Sequence, residues 1–271
     1  MSEQQQSPGT RSGVPGSARA ASAARSTLRR LSAAASVVEL EDQLPSPELA
    51  AFVDSLATPD DLAAMTVINA HLDRGVSAEA IVLDLLAPGA REVGRRWEED
   101  EADFVTVTLA LGRLQRILRS LAARLAASGT AVGPIPGTVC VSCLPDEQHT
   151  FGASICAEFF ARDGWQVVMG GPLSRTDTVE LVRQTHTDLV ALSVSRSSSF
   201  AAVSRLISRV RRASKNRHVV VFIGGPMAPH INALPDRLGA DEAVSDVAEA
   251  VQRARVYVLD RLRTRRGSDV A

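Results

Sequence analysis

The chain has 271 residues, a formal charge of −1 and 45% hydrophobic content. That gives room for one or two domains with an ample core, while the charge balance argues against nucleic-acid binding through overall charge and leaves local basic patches open. No run of about 18 apolar residues is available to span a membrane, and three cysteines fit a reducing, cytoplasmic setting without a disulfide framework.

Residues 1–44 are rich in Ser, Ala, Gly and Arg with few acids, a composition expected of a disordered basic tail. From Ser46 the pattern becomes helical. Ser46-Pro47 is a start signal, and Leu49, Phe52, Val53 and Leu56 fall on one face. Thr58-Pro59 repeats that signal, with Leu62, Met65, Ile68 and Leu72 on the apolar face of a second helix ended by Gly75. Ser77 opens a third helix carrying Ile81, Val82, Leu85 and Leu86. Pro88-Gly89 should kink or split it before it resumes through Val93 and Trp97. A fourth spans about 103–127 with Leu114, Ile117, Leu118, Leu121 and Leu125 on its apolar face. Short connections between four such helices imply an antiparallel bundle over 45–128.

A Gly/Pro-containing linker at 129–137 follows. Short apolar runs then alternate with helices: strands at 138–144, 166–169, 189–194, 218–223 and 242–244, with helices after each of them. This is the pattern of a parallel sheet covered on both faces, over 138–266, with a tail at 267–271. Five units suit the flavodoxin-like order 2-1-3-4-5. The predicted fold is thus all-α plus α/β, a four-helix bundle followed by a five-stranded Rossmann-type sheet.

The stretch with the most chemistry is Cys140 to Gly152, where the first strand runs into Pro145 and a polar loop, Asp146-Glu147-Gln148-His149. Ligands in open α/β sheets bind beyond the carboxyl ends of the strands. A His placed there is a candidate metal ligand. Glu147, two residues away, could hold the second ring nitrogen and fix the tautomer. An ordinary surface His is the plainer reading of the loop by itself.

Three fragments together resemble the cobalamin-binding family. Glu147-x-His149-x-x-Gly152 is similar to its Asp/Glu-x-His-x-x-Gly signature. Ser193-Val-Ser195 stands where that family has Ser-x-Leu, and Gly224-Gly225 where it has Gly-Gly. The resemblance implies cobalamin with His149 as lower axial ligand to cobalt, Glu147 behind it and the displaced base in a cleft of the sheet domain. Gly152, Gly224 and Gly225 would leave room for the nucleotide, and Ser193 would hydrogen-bond its base. Ser195 departs from the family's Leu. The bundle would cap the upper face, with Trp97 near the end of the third helix.

The light-sensing adenosylcobalamin regulators carry a Glu-His pair where this chain has Val107 and Thr108, so aquo- or hydroxocobalamin is favoured over the adenosyl form. The Asp103-Phe-Val-Thr-Val-Thr run resembles the PpaA/AerR group of photosynthesis antirepressors. This resemblance implies a non-enzymatic regulator whose partner is a transcriptional repressor, with DNA reached only indirectly or through basic patches. A corrinoid carrier of a methyltransferase system shares the same plan, and a haem-binding variant is a third reading.

Cys140-Val-Ser-Cys143 invites a redox or zinc reading. Residues three apart on a strand point to opposite faces, so strand packing is expected, and core packing likewise for Cys156. His71, His186 and His218 read as surface residues. His230 lies near the expected cofactor tail. Arg205, Arg209, Arg211, Arg212, Lys215 and Arg217 crowd the helix after the third strand, and Arg261, Arg263, Arg265 and Arg266 the C-terminus. Either they complement helix dipoles or they form a patch for phosphates or an acidic partner.

Overall fold

The computed structural model describes residues 46–129, 137–145, 147, 150–173, 176–195, 200–226, 228 and 235–268, with side chains as far as Asp260 apart from that of Pro172. The expected 1–44 tail, most of the 129–137 linker, His149, His230 and residues 269–271 lie outside them, as do the side chains of the C-terminal arginines.

Helix α1, Pro47–Ala57, starts where Ser46 Oγ accepts the Leu49 N–H at 3.2 Å, and it buries Phe52, Val53 and Leu56. The second helix begins later than Thr58-Pro59 suggests. Asp60 Oδ1 accepts the Leu62 N–H at 2.8 Å, an Asx turn that competes with the helix. Helix α2 therefore runs Ala63–Asp73 and leaves Leu62 69% exposed, not on the apolar face. His71 is no bystander. It bonds Val67 O and Glu48 Oε1, each at 2.9 Å, and so ties α2 to α1.

Helix α3 comprises α-helical Ala78–Ala80, π-helical Ile81–Leu86 and α-helical Ala87–Glu98. Instead of splitting at Pro88, the chain widens ahead of it, and the Ala87 N–H reaches Val82 O, five residues back. Proline has no N–H and its ring crowds the carbonyl four residues earlier. A wider turn relieves both. Gly89 then allows α1 and α3 to touch, because a Cβ there would stand 3.0 Å from the Phe52 ring. Asp103 caps α4, Phe104–Ala127, by accepting the Thr106 N–H at 2.7 Å. Leu114, Ile117, Leu118, Leu121 and Leu125 of α4 are all 2% exposed or less.

The α/β half contains β1 (Thr138–Cys143), α5 (Phe151–Arg162), β2 (Gln166–Met169), α6 (Thr178–Gln184), β3 (Leu189–Ser193), α7 (Phe200–Ala213), β4 (Val220–Gly224), the short α8 (Pro235–Leu238), β5 (Glu242–Ala243) and α9 (Val247–Ser268). All strand pairs are parallel and the order is β2-β1-β3-β4-β5, as the flavodoxin-like expectation has it. The last helix runs beyond Arg263 to Ser268.

Two buried clusters sandwich the sheet. One joins Val139, Val141, Cys143, Leu189, Ala191, Val220 and Phe222 to α5, α9 and the bundle. The other packs Cys140, Val190, Leu192, Val221 and Ile223 under α6 and α7. Residues 45–271 form one unit. Gln115 Nε2 of α4 donates to Ser154 Oγ of α5 at 3.2 Å, and Arg162 pairs with Glu79 at 2.7 Å.

Candidate cofactor site

The carboxyl ends of three strands line up in register. Cys143 of β1 pairs with Ser193 of β3, and Ser193 pairs with Gly224 of β4. Beyond this row the chain after β1 turns back on itself, while the β3–β4 ladder runs one residue further. The Glu147 N–H donates to Leu144 O at 3.1 Å, and the Val194 N–H donates to Gly224 O at 3.0 Å. Glu147 is 9% exposed and Ser195 6%. The Ser195 N–H donates to Glu147 Oε2 at 3.3 Å, which links the loop after β1 to the end of β3. Ser193 is half-buried. His149 is outside the described residues, so its ring, and any bond to Glu147, is not placed.

The glycines divide into two kinds. Gly225 has φ +85°, and a Cβ there would stand 2.9 Å from Ser193 Oγ and Val194 O. The backbone requires glycine at this position. A Cβ on Gly224 would meet nothing nearer than Val244 O at 3.5 Å, and on Gly152, in the first turn of α5, nothing within 4 Å. Neither glycine is demanded by the protein's own packing, although glycine in a helix costs about 1 kcal/mol against alanine. Their missing side chains keep space open beside Ser193 and at the start of α5, which is a fit to a bulky nucleotide lying against backbone.

A second cradle closes β2 and has no counterpart in the motif reading. Gly170-Gly171-Pro172 repeats the Gly224-Gly225-Pro226 sequence, and that repetition is the signal that would have revealed it. Gly171 has φ +62° and a Cβ there would lie 3.0 Å from Ser142 Oγ. Ser142 and Thr178 hydroxyls are 2.5 Å apart beneath it, both buried.

Cys140 and Cys143 are fully buried on opposite faces of the sheet, so they form neither a disulfide nor a joint metal site. Burial pushes the Cys140 thiol up to about 12, and burial with the Glu147 charge nearby does the same to Cys143. Cys156 packs against the bundle-side core. Among the described residues no three His, Cys, Asp or Glu side chains converge to hold a metal ion.

Helix α4 supplies the other wall. Its Gln115 meets Ser154 near the start of α5, and a Cβ on Gly129 just past its end would lie 2.7 Å from Arg162 O at the end of α5. The two helices therefore run in the same direction. The first eight residues of α4, about 12 Å at 1.5 Å per residue, stand beyond the start of α5, on the side of the strands' carboxyl ends. Phe104 is 70% exposed there, Val105 61% and Leu109 48%, and Trp97 at the end of α3 is 48% exposed. Val105, Thr108, Leu109 and Gly112 share one helical face. The Thr108 hydroxyl donates back to Phe104 O at 2.7 Å. Apolar groups thus overhang the row of strand ends.

A helical cap joined to a five-stranded parallel sheet, with glycine cradles at the strand ends, matches the corrinoid-protein fold. The chain carries B12-binding domains: a profile described as B12 binding domain matches residues 137–255, and a second of the same description matches 48–121. Over 174 residues it is 29% identical to an uncharacterized 20.5 kDa protein of the bchF-crtJ intergenic region of Rhodobacter capsulatus, covering 64% of this chain and 89% of that one. This match is consistent with a PpaA/AerR-like group. It is 25% identical to dimethylamine corrinoid protein 2 of Methanosarcina acetivorans over 64% of this chain and 79% of that one. The fold matches the monomethylamine corrinoid protein of Methanosarcina barkeri with a TM-score of 0.61 and 19% identity, covering 77% of this chain and 95% of that one.

Proposed function

We propose that this protein is a cytoplasmic, cobalamin-responsive transcriptional regulator without catalytic activity, an antirepressor whose bound cofactor gates contact with a repressor protein. The observation that carries the cofactor assignment is the open space at Gly224, beside Ser193, and at Gly152, at the start of α5. His149 would be the lower ligand to cobalt, held by Glu147. Ser193, Ser195, Gly224 and Gly225 would hold the base, and Trp97 would stand on the cap side. Bound cobalamin would supply a metal centre with an exchangeable upper ligand. The exposed α4 face presents Val105, Thr108 and Leu109, none of them a strong cobalt ligand, which supports the aquo- or hydroxo form. The regulatory role is supported by the relative from the bchF-crtJ intergenic region.

The test is the absorption spectrum of protein expressed with cobalamin, wild type against His149→Ala, in dark and light. Loss of the wild-type spectrum and weaker cobalamin retention are expected in the variant, and an unchanged spectrum overturns the assignment. Tight dark binding of adenosylcobalamin with exclusion of hydroxocobalamin would overturn the preferred form.

The match to dimethylamine corrinoid proteins favours a second reading, a methyl carrier. Formation of a methyl–cobalt species in the presence of a neighbouring methyltransferase would establish it in place of the regulator.

A further inference from the structure

On the sheet face away from the bundle, α6 and α7 border a shallow, open cleft of about 360 Å³, lined by Val179, Arg183, Arg209, Arg212 and Ala213. Its lining is more polar than apolar: three guanidinium groups surround a small apolar floor of Val179 and Ala213. We propose that this cleft is a docking site for an acidic, partly apolar segment of a partner protein.

The charge on the α7 side is uncompensated, whereas Arg183 of α6 pairs with Glu180. No Asp or Glu occurs between Asp188 and Asp236, so α7 is a wholly cationic helix in a chain whose net charge is −1. The cations also divide by task. Arg211 is structural: it donates to Gly239 O and Val219 O at 2.9 Å and pairs with Asp241 at 2.8 Å. Lys215 Nζ caps Gln184 O at 2.6 Å. Arg209 and Arg212 are exposed and make no ion pair with a described residue. Arg205, Arg209 and Arg212 follow one another at four and three residues along one side of the helix, where like charges repel. A helix dipole accounts for Arg212 in the last turn but not for Arg205 or Arg209, because the effect fades beyond the terminal turn.

Arginine's planar fork is suited to carboxylates and phosphates alike. Two features favour a protein segment over nucleic acid. Duplex binding draws its affinity from many phosphate contacts, and the cleft offers few cations. The Val179 and Ala213 floor suits an aliphatic side chain between carboxylates. The surface lies across the sheet from the helical cap, so its occupation leaves the cofactor site free.

The test uses the full chain and fluorescence anisotropy with three labelled probes: a short Glu/Asp–Leu peptide, its Gln/Asn–Leu counterpart and a DNA duplex. The wild type should bind the acidic peptide in preference to the other two. Arg209→Glu combined with Arg212→Glu should weaken that binding by about tenfold or more, as loss of charge-assisted bonds requires. Arg119→Glu with Arg124→Glu, an equal charge change on α4, should leave it unchanged. Retained circular dichroism and cobalamin spectrum separate this result from misfolding and from any failure of the cofactor reading. Arg209→Gln with Arg212→Gln is the substitute if charge reversal unfolds the chain. No binding of the acidic peptide, equal loss in the α4 control, or tighter binding of the duplex would overturn the proposal.

Discussion

The Ser195 N–H donates to Glu147 Oε2 at 3.3 Å, and both residues are at least nine-tenths buried. This bond holds the loop after β1 against the end of β3, and that loop leads directly to His149. Glu147→Ala removes the carboxylate that accepts this buried N–H and should lower stability by about 1–3 kcal/mol. Glu147→Gln keeps an accepting oxygen and should lose much less. Urea unfolding of the two variants checks the difference.

Gly224 and Gly225 are adjacent but answer to different constraints. Gly225→Ala forces a Cβ onto Ser193 Oγ and Val194 O at 2.9 Å with φ +85°, and should cost about 1–3 kcal/mol. Gly224→Ala places its Cβ in ordinary contact, 3.5 Å from Val244 O. It should fold with wild-type stability and yet load cobalamin less well. Thermal unfolding alongside cobalamin titration separates the two. Equal cobalamin loading by Gly224→Ala would remove this glycine from the site.

The parallel sheet was legible because each strand is a short apolar run bounded by turn residues, and its shortness and β-branched content separate it from the longer helices. The bundle was legible from the helical spacing of its apolar residues. What escaped were effects of tertiary geometry. Periodicity placed Leu62 on a buried face, but the Asp60 side chain delays the helix start. Pro88 signalled a break, yet neighbouring helices hold the chain together across a π-helical turn. The row Cys143–Ser193–Gly224 could be inferred as three strand ends, but the register that aligns them needs the structure. The overhang of α4 depends on its running in the same direction as α5, which no local pattern encodes. The division of α7's cations into structural and exposed ones is likewise set by where Asp241 and Gln184 lie.

Arg113 is 4% exposed and closes the C-terminal end of α1. Its Nη1 donates to Leu56 O and Thr58 O, each at 2.6 Å, and its Nη2 pairs with Asp61 at 2.6 Å. Arg113→Ala strips these carbonyls of their donor and should lower stability by about 2–3 kcal/mol. Asp61 is largely exposed and regains water, so the loss should come mainly from the carbonyls. Asp61→Asn should therefore cost far less than Arg113→Ala, and chemical denaturation of the two measures the contrast.

Acid should loosen the bundle through Glu92. Its carboxylate is 7% exposed and receives two bonds from Arg95, Nε to Oε2 and Nη2 to Oε1, each at 2.8 Å, and one from Arg96 Nε at 2.9 Å. Arg96 in turn reaches Asp54 of α1 at 2.7 Å. Hydrogen bonding by Arg95 and then Arg96 outweighs the penalty of burial and holds the Glu92 carboxyl below the usual carboxylate range. A carboxyl whose pKa is lowered on folding contributes stability above its unfolded value, near 4.3. That contribution is lost as pH falls from there through the folded value. Glu92→Gln should therefore be less stable than wild type at neutral pH by about 1–3 kcal/mol, and the gap should narrow as pH drops below about 4.3. Urea midpoints for both proteins across this range provide the check. A gap that stays constant in acid would show that the fork stabilises the bundle by shape and not by the carboxylate charge.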